Sequence, residues 1–249
     1  MSLNELISQN RKNVTKEDKK MELAEVIGKR RSIRYYSDRP VEMKKIQIIL
    51  EAARLAPCAS NLNILRAVVL ERDKAPKGLI DSIAEFNRAH ILQAPILICW
   101  YVDMQAWEDR SQKMKELIDI GVLKPTHGWS HEYIDTVYMK TLRKSPEVIN
   151  YIEGGMGIAF GILAAVDQGL GTCLNTCNVE EARVALGLPE TATVLWIMSF
   201  GYPVESPEAE KQRPRRPFEE LFSLNSYKTP FIRNEKVIEE LKRSRMIQP

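Results

Sequence analysis

A glycine-studded apolar helix constrains this chain more than any other segment. From Pro146 to Gly169 the sequence predicts one long helix over about 147–168, with Gly154, Gly155, Gly157 and Gly161 along it. A glycine inside a helix costs roughly 0.5–1 kcal/mol relative to alanine. Four in one helix imply that something approaches its surface closely: another backbone, a cofactor or a second subunit. The competing reading is a helix whose N-terminal half is loosely formed.

The segments around this helix mix helix and strand without strict βαβ alternation. Thr15–Asp18 resembles a helix start, and Met21, Ala24 and Ile27 continue at helical spacing to about Lys29. A second helix is expected over 42–55, with Ile46, Ile49, Leu50 and Ala53 as its buried stripe. Ala56–Asn63 then reads as a loop. Strands are expected at 64–70 and 95–102 with a helix near 77–87 between them, then two helices in the aromatic, charged segment 104–145 around Gly121, Pro125 and Gly128. After the long helix come a strand at 171–175, a helix at 179–187 and a strand at 192–200. This order favours an α+β class over a doubly wound sheet. No repeat or Gly/Ser linker divides the chain, so 21–249 reads as one domain behind a polar arm, 1–20, with a C-terminal extension from 223.

The 249 residues carry 36 Lys+Arg against 33 Asp+Glu, a net charge of +3, which argues against a dedicated nucleic-acid binder. No stretch approaches the roughly 20 uninterrupted apolar residues of a membrane span. The polar N-terminus carries no secretory h-region, so a cytoplasmic location is the default expectation. Cys58, Cys99, Cys173 and Cys177 have no disulfide or metal-ligand spacing, and free thiols are expected.

On this balanced background two arginine clusters stand out nearly a chain length apart: Arg30-Arg31-Ser32-Ile33-Arg34 and Arg213-Pro214-Arg215-Arg216-Pro217. Guanidinium forks match phosphate geometry, and Ser32 offers one more donor. Two solvated charge clusters are the bland alternative, and the dipole of the helix ending near Lys29 accounts for some of these cations without any ligand.

Taken in order, these pieces resemble the nitroreductase family of FMN-dependent NAD(P)H oxidoreductases. The resemblance covers residues 21–222. It rests on Arg30–Tyr36, the loop Ala56–Asn63, the turn Gly169-Leu170-Gly171-Thr172-Cys173, then Ala185–Pro189, Phe200–Pro203 and Arg213–Glu220. It implies a central mixed, mostly antiparallel sheet flanked by helices, and a homodimer with FMN at the interface. Arg30, Ser32 and Arg34 match positions that hold the FMN phosphate and ribityl chain, with Arg31 beside them. Arg213 and Arg215 match the basic pair that closes on the phosphate. Ser60, Asn61 and Asn63 lie in the loop that meets the isoalloxazine edge, and Leu174, Asn175 and Thr176 lie where the chain passes the reactive flavin nitrogen. Two departures stand out. Asn63-Ile64-Leu65 replaces a Gln-Pro-Trp sequence, and Leu174-Asn175-Thr176-Cys177 replaces Trp-Ile-Gly-Gly.

The resemblance implies that the cofactor carries the chemistry by a ping-pong exchange, so no catalytic protein residue is expected. NADH or NADPH would be the reductant. A small aromatic acceptor (a nitroaromatic or quinone) would bind against the variable lid 104–145, where Trp107, Trp129, His131, Tyr133 and Tyr138 are the candidates. Helix packing is the plainer role for each of these five. The alternatives are a dehalogenating or enone-reducing member of the family, or a non-catalytic, regulatory FMN-binding protein.

Overall fold

The computed structural model describes residues 21–141, 146–204 and 211–248. The expected arm 1–20 lies outside them. Four strands form one sheet: β1 (Leu65–Glu71), β2 (Ile96–Asp103), β3 (Gly171–Asn175) and β4 (Ala192–Gly201), in the order β1-β2-β4-β3 with every pair antiparallel. A parallel bridge between Ser32 and Thr172 adds the 30–36 segment to the β3 edge, which makes the sheet mixed. This is the expected α+β architecture.

β2 explains why the sheet is covered on both faces. Its run of apolar residues leaves neither side polar, as expected of a strand buried on both faces. Leu97 and Cys99 pack into a cluster with Leu79, Ile83, Ile91 and Ala182. Those residues come from α3 (Lys77–Ser82), α4 (Glu85–Ile91) and α8 (Val179–Ala185), and from Ile83 between the first two. On the opposite face, Ile96, Ile98 and Trp100 meet Ile46, Ile49 and Ala53 of α2 (Met43–Arg54) and Ile158 and Ala165 of α7 (Pro146–Asp167). The single helix expected near 77–87 is two, because Ile83 turns extended (φ −76°, ψ 138°) to bridge Cys177. α1 (Leu23–Lys29) starts later than expected: Met21 and Glu22 lie outside it, Glu22 being extended (φ −69°, ψ 148°), and the expected start at Thr15–Asp18 lies outside the described residues. The segment expected to serve as a lid contributes α5 (Arg110–Asp119) and α6 (His131–Thr136) around positive-φ glycines 121 and 128.

The glycines of α7 have specific neighbours in their own chain. A Cβ at Gly157 would strike the Leu65 side chain and crowd Ala53 O at 3.2 Å, and one at Gly154 would strike Leu195. Gly161 faces Ile49 and Ala53, whereas Gly155 faces open space. Close packing of α7 on α2 and the sheet therefore accounts for Gly154 and Gly157, whereas Gly161 would admit a Cβ at ordinary contact distance, and the helix is continuous through all four. By length and composition this 22-residue helix is apolar enough to cross a bilayer, contrary to the expectation from sequence. It nevertheless buries Asn150 and Glu153 against the protein interior, and its packing is that of a core helix.

After β4 the chain runs outward through α9 (Phe218–Leu221) and α10 (Glu235–Arg243), almost wholly exposed, and returns to α1. Gln212 Nε2 donates to Gly28 O (3.2 Å) and Met246 O (2.7 Å), and Arg245 pairs with Glu25 at 3.0 Å. Gly28 is the contact point: a Cβ there would run into the Arg245 carbonyl. Gly28→Ala is expected to cost about 1–3 kcal/mol by forcing that backbone apart, a loss of several degrees in Tm. Limited proteolysis should then cut the 213–248 segment faster than in the parent.

Candidate functional site

The site begins with an alternation. Beyond α1 the chain extends alongside β3, and Ile33 N donates to Thr172 O at 2.9 Å. In extended backbone successive side chains point to opposite faces. Arg31 and Ile33 are buried, while Ser32 and Arg34 are exposed and Arg30 is half-buried. Every second residue of the first arginine run therefore faces one side.

The second run arrives on that side because Arg31 binds it there. The Arg31 guanidinium donates to Gly28 O (2.6 Å), Arg30 O (2.7 Å), Lys211 O (2.8 Å) and Gln248 Oε1 (2.7 Å). These bonds tie both ends of the chain together, and at 6% exposure Arg31 is a structural staple. The expectation that its guanidinium serves a ligand is revised accordingly. Above it lies a cleft of about 400 Å³ lined by Arg30, Ser32, Arg34, Gln212, Arg213 and Arg215, with Ile27 and Arg31 at its wall. No carboxylate is among its described lining residues. Burial, and then the neighbouring charge of Arg215, lower the Arg30 pKa. Several guanidinium groups converging on one cleft form a ready anion site. The donor set, convergent guanidinium forks plus a serine hydroxyl, suits a phosphate monoester.

The loop after α2 supplies a second, separate feature. Ser60, Asn61 and Asn63 all hold left-handed backbone, with φ of 55°, 55° and 49°. Asn tolerates such geometry, whereas it costs a residue such as Ser60 roughly 1–2 kcal/mol, and it concentrates at functional sites. The turn is held from several sides. Ala59 N donates to Glu153 Oε1 of α7 at 2.5 Å, Ser60 Oγ meets Tyr138 Oη at 3.1 Å, and Arg66 donates to Asn63 O. Asn63 Nδ2 donates to Asn61 O at 2.8 Å. Asn61 and Asn63 are exposed. Beneath the turn is a cleft of about 130 Å³ that Trp100 and Glu153 help to line. Trp100 Nε1 and Glu153 Oε2 are buried without a hydrogen-bond partner among the described residues. Burial pushes the Glu153 carboxyl above its ordinary range, opposed by the Ala59 N–H.

The remaining sequence candidates divide. Asn175 is fully buried, and its Nδ2 donates to Cys173 O and Ile197 O, both at 3.0 Å. Its amide is therefore a core strut rather than a donor to a ligand, which corrects one option from sequence. Leu174 is half-buried and Thr176 exposed at the end of β3. In the lid, Trp129 stacks edge-on against Tyr133 and Tyr138 at 5.6 and 5.8 Å. Trp107 instead donates to Asn150 Oδ1 of α7 at 2.7 Å, and His131 pairs with Asp119 at 2.8 Å away from that cluster. Sequence reasoning passed over Glu153, Arg110 and Gln212. The acid in an apolar glycine-rich helix was a usable signal for the first; Arg110 and Gln212 carried none.

With this geometry in place, comparison with known proteins becomes informative. The family model described as the nitroreductase family matches residues 27–202. An NADH dehydrogenase of Thermus thermophilus is 32% identical over 178 residues, covering 71% of this chain and 84% of the relative. Rat iodotyrosine deiodinase 1 is 29% identical over 191 residues and 73% of this chain, which spans 62% of that relative. Among solved structures, a nitroreductase-type protein of Exiguobacterium sibiricum in complex with FMN superposes with a TM-score of 0.69 at 20% identity. It covers 82% of this chain and 98% of its own. The NADPH:FMN oxidoreductase of Vibrio harveyi, complexed with NAD+, gives 0.61 at 22% identity over 89% of this chain and 84% of its own. At such identities these likenesses establish the fold.

The buried acid yields a prediction with a definite sign. A carboxyl with a raised folded pKa stabilises the fold fully below the ordinary carboxylate range, and that contribution is lost as pH rises through the folded value. Glu153→Gln keeps an oxygen for the Ala59 N–H and removes the titration. Its Tm should exceed the parent's at pH 8, where a gain of about 1 kcal/mol is worth roughly 2–4 °C, and match it near pH 4. Thermal melts across that range measure the difference.

Proposed function

This chain belongs to the nitroreductase family, and from that premise we propose that it is an FMN-dependent oxidoreductase that uses NADH or NADPH to reduce a small aromatic acceptor. The observation that carries the reading is the arginine cleft. Arg30, Arg34, Arg213 and Arg215 converge on one cleft with Ser32, and no carboxylate is among its described lining residues; a flavin mononucleotide ends in the dianionic phosphate such a cleft suits.

When bound, FMN supplies the two-electron chemistry, taking reducing equivalents from the nicotinamide and delivering them to the acceptor. The chain's own residues bind, orient and screen. Arg30, Ser32, Arg34, Arg213 and Arg215 hold the phosphate end. Asn61 and Asn63 present amides toward the ring edge from a turn with Ser60 at its start, and the β3 end at Leu174–Thr176 offers backbone donors. The arginine cleft and the cleft beneath the turn share no lining residue. That separation supports a homodimer in which each flavin takes its phosphate clamp from one chain and its Asn turn from the other. Exposed Tyr151, Ile152 and Phe160 on α7, with Phe222, Tyr227 and Ile232 beyond β4, supply apolar surface for the second copy.

The relatives named as iodotyrosine deiodinases favour a second reading of the acceptor, a halogenated phenol reduced with loss of halide. The edge-on aromatic cluster of half-buried Trp129 and Tyr138 with exposed Tyr133 suits either kind of ring.

Two measurements test the proposal. FMN-loaded protein mixed anaerobically with NADH or NADPH should lose its visible flavin absorbance, and reoxidation by nitroaromatics, quinones or halophenols ranks the acceptors. Bound flavin that neither nucleotide bleaches would overturn the oxidoreductase reading. Arg30→Ala and Arg215→Ala should each weaken FMN binding about 10- to 100-fold, the worth of one charge-assisted hydrogen bond (about 1.5–3 kcal/mol). Arg215→Ala should leave the apoprotein's Tm unchanged or slightly raised, because it relieves Arg30 of a like charge.

A further inference from the structure

The strained turn is tied to the lid through one side chain. Tyr138 lies in the lid, and its hydroxyl meets Ser60 Oγ at 3.1 Å. Its ring is clasped on two sides: the Arg110 guanidinium lies 4.3 Å from the ring centroid, and Trp129 packs edge-on at 5.8 Å. Arg110 is unusual in its own right. It is 4% exposed, yet it pairs with no carboxylate among the described residues. Its charge rests on aromatic faces instead, Tyr138 on one side and Trp107 at 5.6 Å on the other. A desolvated cation gains most from such contacts. Trp107 is anchored in turn to Asn150 of α7 at 2.7 Å. A continuous line of contacts therefore runs from the core helix through Trp107, Arg110 and Tyr138 to Ser60.

Left-handed backbone at Ser60, Asn61 and Asn63 persists only where surrounding contacts hold it. Glu153 and Arg66 hold the turn on either side of Ser60, through Ala59 and Asn63, and they belong to α7 and β1. The Tyr138 contact belongs to the lid. We propose that Tyr138, held by Arg110, is a positioning residue. Its hydroxyl keeps Ser60 in the left-handed form that aims Asn61 and Asn63, while its ring forms part of the aromatic surface that receives the acceptor. Acceptor contact and turn geometry are thereby coupled through one side chain. This inference rests on the flavin reading above.

The test separates the hydroxyl from the ring. Tyr138→Phe keeps the stack on Arg110 and Trp129 and removes only the bond to Ser60; Ser60→Ala removes the same bond from the other side. In the apoprotein, each variant should speed amide exchange within residues 59–63 about fivefold and weaken FMN binding by a similar factor, the worth of one neutral hydrogen bond. The double variant should be no worse than either single one, because both delete one interaction. In the loaded protein kcat should fall while KM for the nicotinamide stays near the parent value. Tyr138→Phe indistinguishable from the parent in both exchange and FMN affinity, or single effects that multiply in the double variant, would overturn the proposal. Failure of the flavin reading would appear in the parent itself, as an inability to bind FMN; failure of this inference appears only in the variants.

Discussion

The Arg31 guanidinium is the interaction on which the proposed site depends. By donating to the carbonyls of Gly28, Arg30 and Lys211 and to the Gln248 amide, it joins the segment after α1 to the returning C-terminus. Buried carbonyls need partners, and a guanidinium supplies several donors from one plane. Gln212 reinforces the joint by bonding Gly28 and Met246. Once the ends are joined, the remaining arginines are carried into one cleft, where their mutual repulsion is sustained by the fold. The cost of gathering those charges is met by bonds that point inward, and the binding capacity faces outward.

α7 plays the corresponding part for the other half of the site. Its glycines let α2 and the sheet come close enough to bury Asn150 and Glu153. Those two polar side chains then reach out of the core, one to Trp107 of the lid and one to Ala59 of the strained turn. A helix apolar enough by composition to cross a membrane is thus a platform that sets two functional segments at fixed positions. Close packing makes the platform rigid, so the left-handed residues at 60, 61 and 63 are held against a surface that does not yield.

Much of the fold was legible from periodicity alone. Of the expected stripe Ile46, Ile49, Leu50 and Ala53, three are buried and Leu50 is half-buried against the same cluster, and the continuous apolar run of β2 is buried on both faces. The split at Ile83 was not legible, because a lone β-bridge to Cys177 overrides local helix propensity there. The arginine runs stand out in the sequence as guanidinium clusters, yet Arg31 was indistinguishable from its neighbours until the alternation beside β3 turned it inward. Asn175 read as a donor near the end of a strand, and tertiary packing made it a core strut instead.

Local chemistry by itself determined the elements, the class of fold and the kind of ligand. Hydrophobic period, glycine spacing and guanidinium clusters are properties of short windows, and they point to an α+β domain with an anion clamp. Only the tertiary structure decided which arginines face the cleft, which aromatic side chain reaches the turn and which acid lies beneath it. Each of those outcomes depends on a contact between residues dozens to nearly two hundred positions apart, such as Arg31 with Lys211 or Ser60 with Tyr138. Such pairings leave no trace in any single window, because the free energy that selects them comes from burying and satisfying both partners at once.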